Sequence, residues 1–380
     1  MHIPFSILTI TIMKQNSYEY ITEQSQLIDF CTRNHKAASI SVDTEFLRDK
    51  TYRPVFCLLQ LSVDVDAVII DPLANIDLNP IGSLLCNSSV IKIFHSGRQD
   101  IEILLGLWRD LSGPIFDTQI GASLIGLPFQ LGYSDLIERL FGISIDKQHT
   151  RTVWTHRPLT TEQLRYAAAD VLHLEAAYMA LHSKLVSLNR LEWAIEDSNA
   201  LLNQKLYESH PKHAWRKISG LVKVPYDKLP FLYRLAAWRE ITAQKRNLPR
   251  SWVLQDQTIC LLAEASPCSS ITIREILKAD RYATSELALE ITSAIHSPNL
   301  EVLSDESVPS PLLTTTQKSS LVRLMKLLHQ RADELSLAPS VIASRKDFEQ
   351  LLHKGPKHSR IMNGWRKNII GDSCVRLLGT

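Results

Sequence analysis

The stretch Ile40-Ser-Val-Asp-Thr-Glu-Phe46 constrains the fold more than any other part of the chain. Apolar Ile40 and Val42 alternate with Ser41, Asp43 and Glu45, and in a β-strand residues two apart share a face. Asp43 and Glu45 therefore project together, while Ile40, Val42 and Phe46 pack behind them. Two neighbouring carboxylates on a buried strand repel, and burying them is costly unless something neutralises the charge. A hard divalent cation such as Mg²⁺ or Mn²⁺ does this through oxygen ligands. An edge strand whose polar face meets water removes the problem differently. From this stretch alone both readings stand.

The surrounding pattern is α/β. Tyr18–Ile21 reads as a short strand and Gln24–Arg33 as a helix. Phe56–Val63 and Ala67–Asp71 are further strands, closely connected to the first, which predicts an antiparallel meander. Then the order alternates: a helix over Leu78–Cys86, a strand over Val90–Phe94, and a helix from Arg98 to Leu107. A strand or helix entry follows at Phe116-Asp117, with helices over Thr118–Leu127 and Tyr133–Phe141. Strands in a meander followed by alternation with helices predict a mixed sheet flanked by helices.

Asp100 falls in the first turn of a predicted helix. The helix dipole favours an acid there, and strand ends in open α/β sheets are also where sites form. Thr160 with Gln163 makes a capping box for a helix that runs through Tyr166-Ala-Ala-Ala-Asp170. Tyr166 and Asp170 lie four apart, on one helical face. The alanines between them allow close approach to a sheet.

Taken together, Asp43, Glu45, Asp100 and Asp170, with Tyr166, resemble the three motifs of the DEDDy exonucleases, and most closely the ribonuclease D family. Asp43-Thr-Glu-Phe-Leu-Arg48 with Thr51-Tyr is similar to the first motif, and His95-Ser-Gly-Arg-Gln-Asp100 to the second. Asp117-Thr-Gln is similar to the stretch that follows it. Asp146-Lys, Arg151-Thr-Val-Trp154 and Arg157-Pro-Leu are similar to the approach to the third, Tyr166 to Asp170. Ordered motifs over half a chain are a specific signal. Arg98-Gln99 departs from the pattern, since relatives commonly carry an acid there.

The resemblance implies an RNase H-like fold and hydrolysis from the 3′ end. It implies two divalent ions, Mg²⁺ or Mn²⁺, held by Asp43, Glu45, Asp100 and Asp170, clamping an in-line displacement. Tyr166 would orient the attacking water, since a phenol is ordinarily a donor at neutral pH and suits positioning. Arg151, Lys147 and Arg157 are candidate phosphate contacts, with Trp154 as an aromatic surface. The plainer reading is a solvated loop with a buried Trp. His95 and His173 are expected in the core or behind the acids rather than as ligands of a hard ion.

After about Lys205 the strand signals stop. Apolar residues at Leu229, Leu232, Leu235, Ala236 and Trp238 mark one face of a helix. Further helices are expected over Asp256–Ala265, Ile271–Leu277 and Glu286–Ala294. This region resembles an HRDC domain. Leu337-Ala-Pro-Ser-Val-Ile-Ala-Ser-Arg345 echoes Leu248-Pro-Arg-Ser-Trp-Val-Leu-Gln-Asp256, so a second copy is expected. The predicted division is an exonuclease domain at 14–205 and two all-α HRDC-type domains at 206–296 and 312–380. Ser297–Pro311 would be a linker, and 1–13 an extension if Met13 rather than Met1 is the start. Lys354, Lys357, His358, Arg360, Arg366 and Lys367 form a basic cluster, which suits either phosphate contact or a solvated face.

A net charge of +2 over 380 residues puts no strong basic character on the chain. Six scattered cysteines without paired spacing point to reduced thiols in a cytoplasmic protein. No basic-then-apolar leader and no run long enough for a bilayer are expected. The expected function is a monomeric 3′→5′ exoribonuclease that trims tRNA precursors and other structured RNAs at single-stranded 3′ ends, releasing nucleoside 5′-monophosphates. The alternatives are the same chemistry on DNA, and an RNA-binding adaptor with an idle site.

Overall fold

The computed structural model describes residues 18–64, 66–145, 152–221, 224–266, 269–296 and 313–379. They fall into two compact units, one of residues 1–47, 56–206 and 311–380, the other of 48–55 and 207–310.

The first unit is built on a six-stranded sheet. Its strands are β1 (Tyr18–Ile21), β2 (Ser39–Leu47), β3 (Val55–Val63), β4 (Asp66–Ile70), β5 (Ile91–Phe94) and β6 (Ile115–Asp117). Their order is β1-β4-β3-β2-β5-β6, so the expected meander β2-β3-β4 sits in the middle. β3 and β4 are antiparallel, whereas β1 runs parallel to β4, β5 to β2, and β6 to β5. β3 is a nearly continuous apolar run, and every residue from Cys57 to Val63 is buried, as expected for a strand covered on both faces.

Around the sheet lie α1 (Gln24–Asn34), α2 (Asn79–Leu85), α3 (Arg98–Leu107), α4 (Thr118–Leu124), α5 (Tyr133–Phe141), α6 (Thr161–Leu172), α7 (Leu174–Ser187) and α8 (Leu191–Asn199). The α6 cap is the predicted box: Gln163 N–H donates to Thr160 Oγ1, and Thr160 N–H to Gln163 Oε1, at 3.2 and 2.8 Å. Ala167 and Ala168 are fully buried, where small side chains bring the helix onto the sheet.

The same unit contains α14 (Thr315–Leu335), α15 (Pro339–Ile342), α16 (Arg345–Lys354) and α17 (Gly364–Arg366), the last running through a π-turn at Lys367–Gly371 into α18 (Asp372–Leu378). These helices share one apolar core with the nuclease helices. Leu321, Leu324, Leu328, Phe348 and Trp365 belong to the same buried cluster as Phe116, Leu124, Leu136 and Leu181. Trp365 stacks on Trp193 of α8, 4.5 Å apart and nearly parallel. Arg366, buried, makes a bidentate pair with Asp197 of α8 at 2.5 and 2.7 Å and donates to the carbonyls of Val341 and Ile342. Arg190 reaches the carbonyls of Leu124 and Leu335. Arg366, read in sequence as part of a basic cluster, is thus an interior clamp.

The second unit is helical: α9 (Leu229–Arg246), α10 (Arg250–Val253), α11 (Asp256–Glu264), α12 (Ser270–Leu277) and α13 (Leu287–His296). Its core gathers Trp215, Leu232, Leu235, Leu254, Ile259, Leu262 and Ile291. Tyr52, from the β2–β3 connection, belongs to this unit: its hydroxyl bonds Glu240, and the Arg250 guanidinium lies 4.9 Å over its ring. The segment after Asn247 contains one helical turn, closed by Leu254 N–H on Arg250 O.

The echo seen in sequence is a backbone likeness too. α9 ends on Asn247 at φ 51° and α14 on Ser336 at φ 53°, both left-handed. In each case the next residue's N–H, Leu248 or Leu337, returns to the helix at Ala243 O or Ala332 O. In each a four-residue helix follows.

Candidate active site

Parallel pairing fixes where the acids of β2 lie. Ser39, Ile40 and Ser41 pair with Ile91, Lys92 and Ile93, and β5 ends at Phe94. β2 continues past that end through Asp43 and Glu45, while the chain after β5 turns through His95-Ser-Gly into α3. Asp100, in the first turn of α3, is thereby delivered beside β2. Its Oδ1 accepts Thr44 N–H at 3.1 Å and Thr44 Oγ1–H at 2.5 Å. Thr44 points away from Asp43 and Glu45 by the alternation of the strand, so one strand presents acids on one face and grips Asp100 with the other.

Asp170 comes from the last turn of α6. Asp43, Glu45 and Asp170 each offer a carboxylate oxygen within 4.8 Å of the others. Asp100 is outside that triad but electrostatically coupled to it. Burial, then the charges of Asp100, Asp170 and Glu45, push the Asp43 carboxyl well above the usual carboxylate range. Burial pushes Glu45 up to about 8, with Asp170 and Asp100 adding to it. Burial raises Asp170 to about 7 and Asp100 to about 6, the latter against the hydrogen bonds from Thr44. Carboxyls this reluctant to ionise together are a donor set that fits a hard divalent cation, because its charge offsets both the desolvation and the repulsion.

Tyr166 sits one turn before Asp170 on α6, its ring 6.2 Å from that of Trp154. Trp154 is buried and so packs rather than presents a surface. The end of α6 is held by Tyr133, whose hydroxyl donates to Ala169 O at 3.0 Å and accepts His173 N–H at 3.3 Å. His173 is buried, and burial lowers its pKa to about 4. His95 bonds Thr118 Oγ1 and Leu131 O through its two ring nitrogens. Both histidines lie behind the acids, in line with the expectation: His95 has both ring nitrogens engaged, and His173 is buried with its Nε2 lacking a hydrogen-bond partner.

Arg157 needs correction. All five of its N–H groups are engaged: two on the Asp71 carboxylate at 2.5 and 2.7 Å, and three on the carbonyls of Trp154, His156 and Cys57. Asp71 also accepts Tyr20 O–H. A guanidinium so saturated has no donor left for a phosphate. Lys147, Arg151 and Asp146, together with 1–13, Cys268 and Ser297–Pro311, lie outside the described residues. Sequence reasoning missed Thr44 and Tyr133 as supports. Strand alternation would have flagged Thr44, and nothing local would have flagged Tyr133.

Residues 18–186 match the family model described as 3′-5′ exonuclease, and 228–295 that of the HRDC domain. A ribonuclease D of Nitrobacter hamburgensis is 35% identical over 94% of this chain and 94% of its own. The chain belongs to the ribonuclease D family. A ribonuclease D of Zymomonas mobilis is 34% identical, over 94% of this chain and 93% of that one. The crystal structure of Escherichia coli RNase D, an exoribonuclease involved in structured RNA processing, superposes with a TM-score of 0.84 at 27% identity, covering 96% of this chain and 99% of that one. The activity is that of a ribonuclease D, 3′-5′ exoribonucleolysis, and the fold and the HRDC domain are as expected. Divalent-cation use follows from the exonuclease match and the acid cluster. Among the described residues no helix is long and apolar enough to cross a membrane.

Proposed function

We propose that this chain trims unpaired 3′ nucleotides from structured RNA, tRNA precursors in particular, and works as a monomer. The observation that carries the site assignment is the Asp43–Glu45–Asp170 triad, with Tyr166 one turn from Asp170 on the same helix. Asp43, Glu45, Asp100 and Asp170 would hold two divalent ions, Mg²⁺ or Mn²⁺, whose chemistry is to make water a nucleophile at neutral pH and to neutralise charge on the departing oxygen. The chain's own residues do the rest. Tyr166 directs the water towards phosphorus by hydrogen bonding. Thr44 keeps Asp100 from swinging away. Tyr133 keeps the last turn of α6, and so Asp170, in place. The water oxygen bonds to phosphorus as the bond from phosphorus to the bridging 3′ oxygen breaks. A nucleoside 5′-monophosphate leaves, and the shortened strand keeps a 3′-hydroxyl. Arg151 and Lys147 remain the proposed phosphate contacts.

The domain reading is an exonuclease at 14–205, one HRDC-type domain at 206–296 and a second at 312–380. The matching helix ends at Asn247 and Ser336 support the second copy.

The test is a digestion time course with Mg²⁺ or Mn²⁺ on a 5′-labelled tRNA carrying extra 3′ nucleotides, beside a matched single-stranded DNA. Stepwise shortening of the RNA that stops near the acceptor stem, and that Asp43→Ala abolishes, is expected. Digestion of DNA alone, or full activity in Asp43→Ala, overturns the reading.

A further inference from the structure

Asp117 closes β6, is buried, and lies outside the Asp43–Glu45–Asp170 triad, although its charge acts on Asp100. Its carboxylate accepts four backbone N–H groups. Oδ1 takes Gln119 at 2.8 Å, Ile120 at 3.3 Å and Ser96 at 3.1 Å, while Oδ2 takes Gly97 at 2.9 Å. The bonds to Gln119 and Ile120 are an ordinary N-cap of α4. A cap does not need the other two, which come from a different element, the turn that joins β5 to α3.

That turn is tight. Ser96 has φ 57°, and a Cβ at Gly97 would lie 2.5 Å from Phe94 Cβ. Gly97 is the N-cap of α3 and carries no side chain to cap it, so the Asp117 oxygens are what hold these two N–H groups. Three residues on is Asp100, whose carboxylate must meet Thr44. Asp117 is itself anchored: its own N–H donates to Ser198 Oγ at 3.0 Å, and Ile115 N–H donates to Asn199 Oδ1 at 3.1 Å, both at the end of α8.

We propose that Asp117 is a positioning residue for hydrolysis: by fixing the Ser96–Gly97 turn it sets where α3 begins and hence where the Asp100 carboxylate stands relative to Asp43. This rests on the reading that Asp100 serves the reaction, and the test separates the two. Residues that orient a metal-binding group from behind cost about 10–100-fold in affinity or activity when altered.

Asp117→Asn is isosteric and keeps one acceptor oxygen. It is expected to lower kcat on labelled RNA about 10–100-fold with KM within about twofold, and to weaken Mn²⁺ binding, followed by electron paramagnetic resonance, about 10-fold. In the metal-free protein, amide exchange should quicken over residues 94–104. Ser198→Ala, which loosens Asp117 without touching its carboxylate, should move kcat and Mn²⁺ affinity in the same direction by less. In an Asp100→Ala background, Asp117→Asn should have no further effect on Mn²⁺ affinity, whereas a purely structural residue would add its own. Wild-type kcat and Mn²⁺ affinity in Asp117→Asn, or in Ser198→Ala should the first variant not fold, overturn the proposal whatever the melting temperature does. Activity surviving in Asp43→Ala instead overturns the site assignment.

Discussion

Replacing Glu45 by Gln should stabilise the metal-free protein while disabling it. In the unfolded chain a Glu ionises near pH 4.3. In the folded chain burial and the neighbouring Asp170 and Asp100 push the Glu45 carboxyl up to about 8. Between those values the folded state binds the extra proton, so stability falls as pH rises through the window and levels off above it. Each pH unit inside it is worth about 1.4 kcal/mol, so the interval from pH 5 to pH 8 amounts to about 4 kcal/mol. Glu45 keeps some solvent contact, and screening reduces the usable figure to about 2–3 kcal/mol. A neutral Gln escapes this loss. In EDTA, Glu45→Gln should therefore melt about 5–10 °C above the parent at pH 8, taking about 2–4 °C per kcal/mol for a unit of this size. At pH 5 the two should nearly coincide. Urea unfolding at both pH values, followed by tryptophan fluorescence, measures the difference. Equal stability at pH 8, or the same gain at pH 5, would refute the account of the acids as mutually repelling and desolvated.

Other outcomes follow from the same contacts. Tyr166→Phe keeps the ring against Trp154 and loses only the hydroxyl, so kcat should drop about 10–100-fold with RNA KM and melting temperature unchanged; loss of stability instead would mark the hydroxyl as structural. Arg366→Met strands the Asp197 carboxylate and two carbonyls, costing about 3–5 kcal/mol in urea unfolding. Adding Asp197→Leu should recover most of that, and no recovery would argue against the pair. Arg157→Lys cannot replace five fixed donors and should destabilise by about 1–3 kcal/mol, with RNA KM within about twofold; a KM rise above about tenfold would restore the phosphate role.

Short-range pattern carried most of what was legible in the sequence. The alternation in Ile40–Phe46, the box at Thr160 and Gln163, and the four-residue step from Tyr166 to Asp170 are set within a few residues, and the structure reproduces each. The role of Arg157 is not legible in sequence because its partner Asp71 is 86 residues away, and a guanidinium near a site reads the same whether it faces phosphate or carboxylate. Arg366 was read as part of a basic cluster for the same reason, its mate Asp197 lying 169 positions back. The internal echo announced a second helical module. Which core that module would join depends on α8, where Trp193 and Asp197 had no sequence-local sign of a partner.

The order in which the ribosome releases the chain acquires meaning from the shared core. α8 emerges early, but Trp365 and Arg366, which complete its apolar and charged surface, come roughly 170 residues later, on the order of 10–30 s at common synthesis rates. The helical unit formed mainly by residues 207–310 has its own core and can close during that wait. The nuclease half must wait for part of its core, since Leu321, Leu324, Leu328 and Phe348 are still to come. A nascent nuclease therefore spends that interval with an uncovered greasy flank. A transcript cut short before codon 365 should yield a chain that chaperones hold and proteases clear, despite encoding every acid of the catalytic cluster.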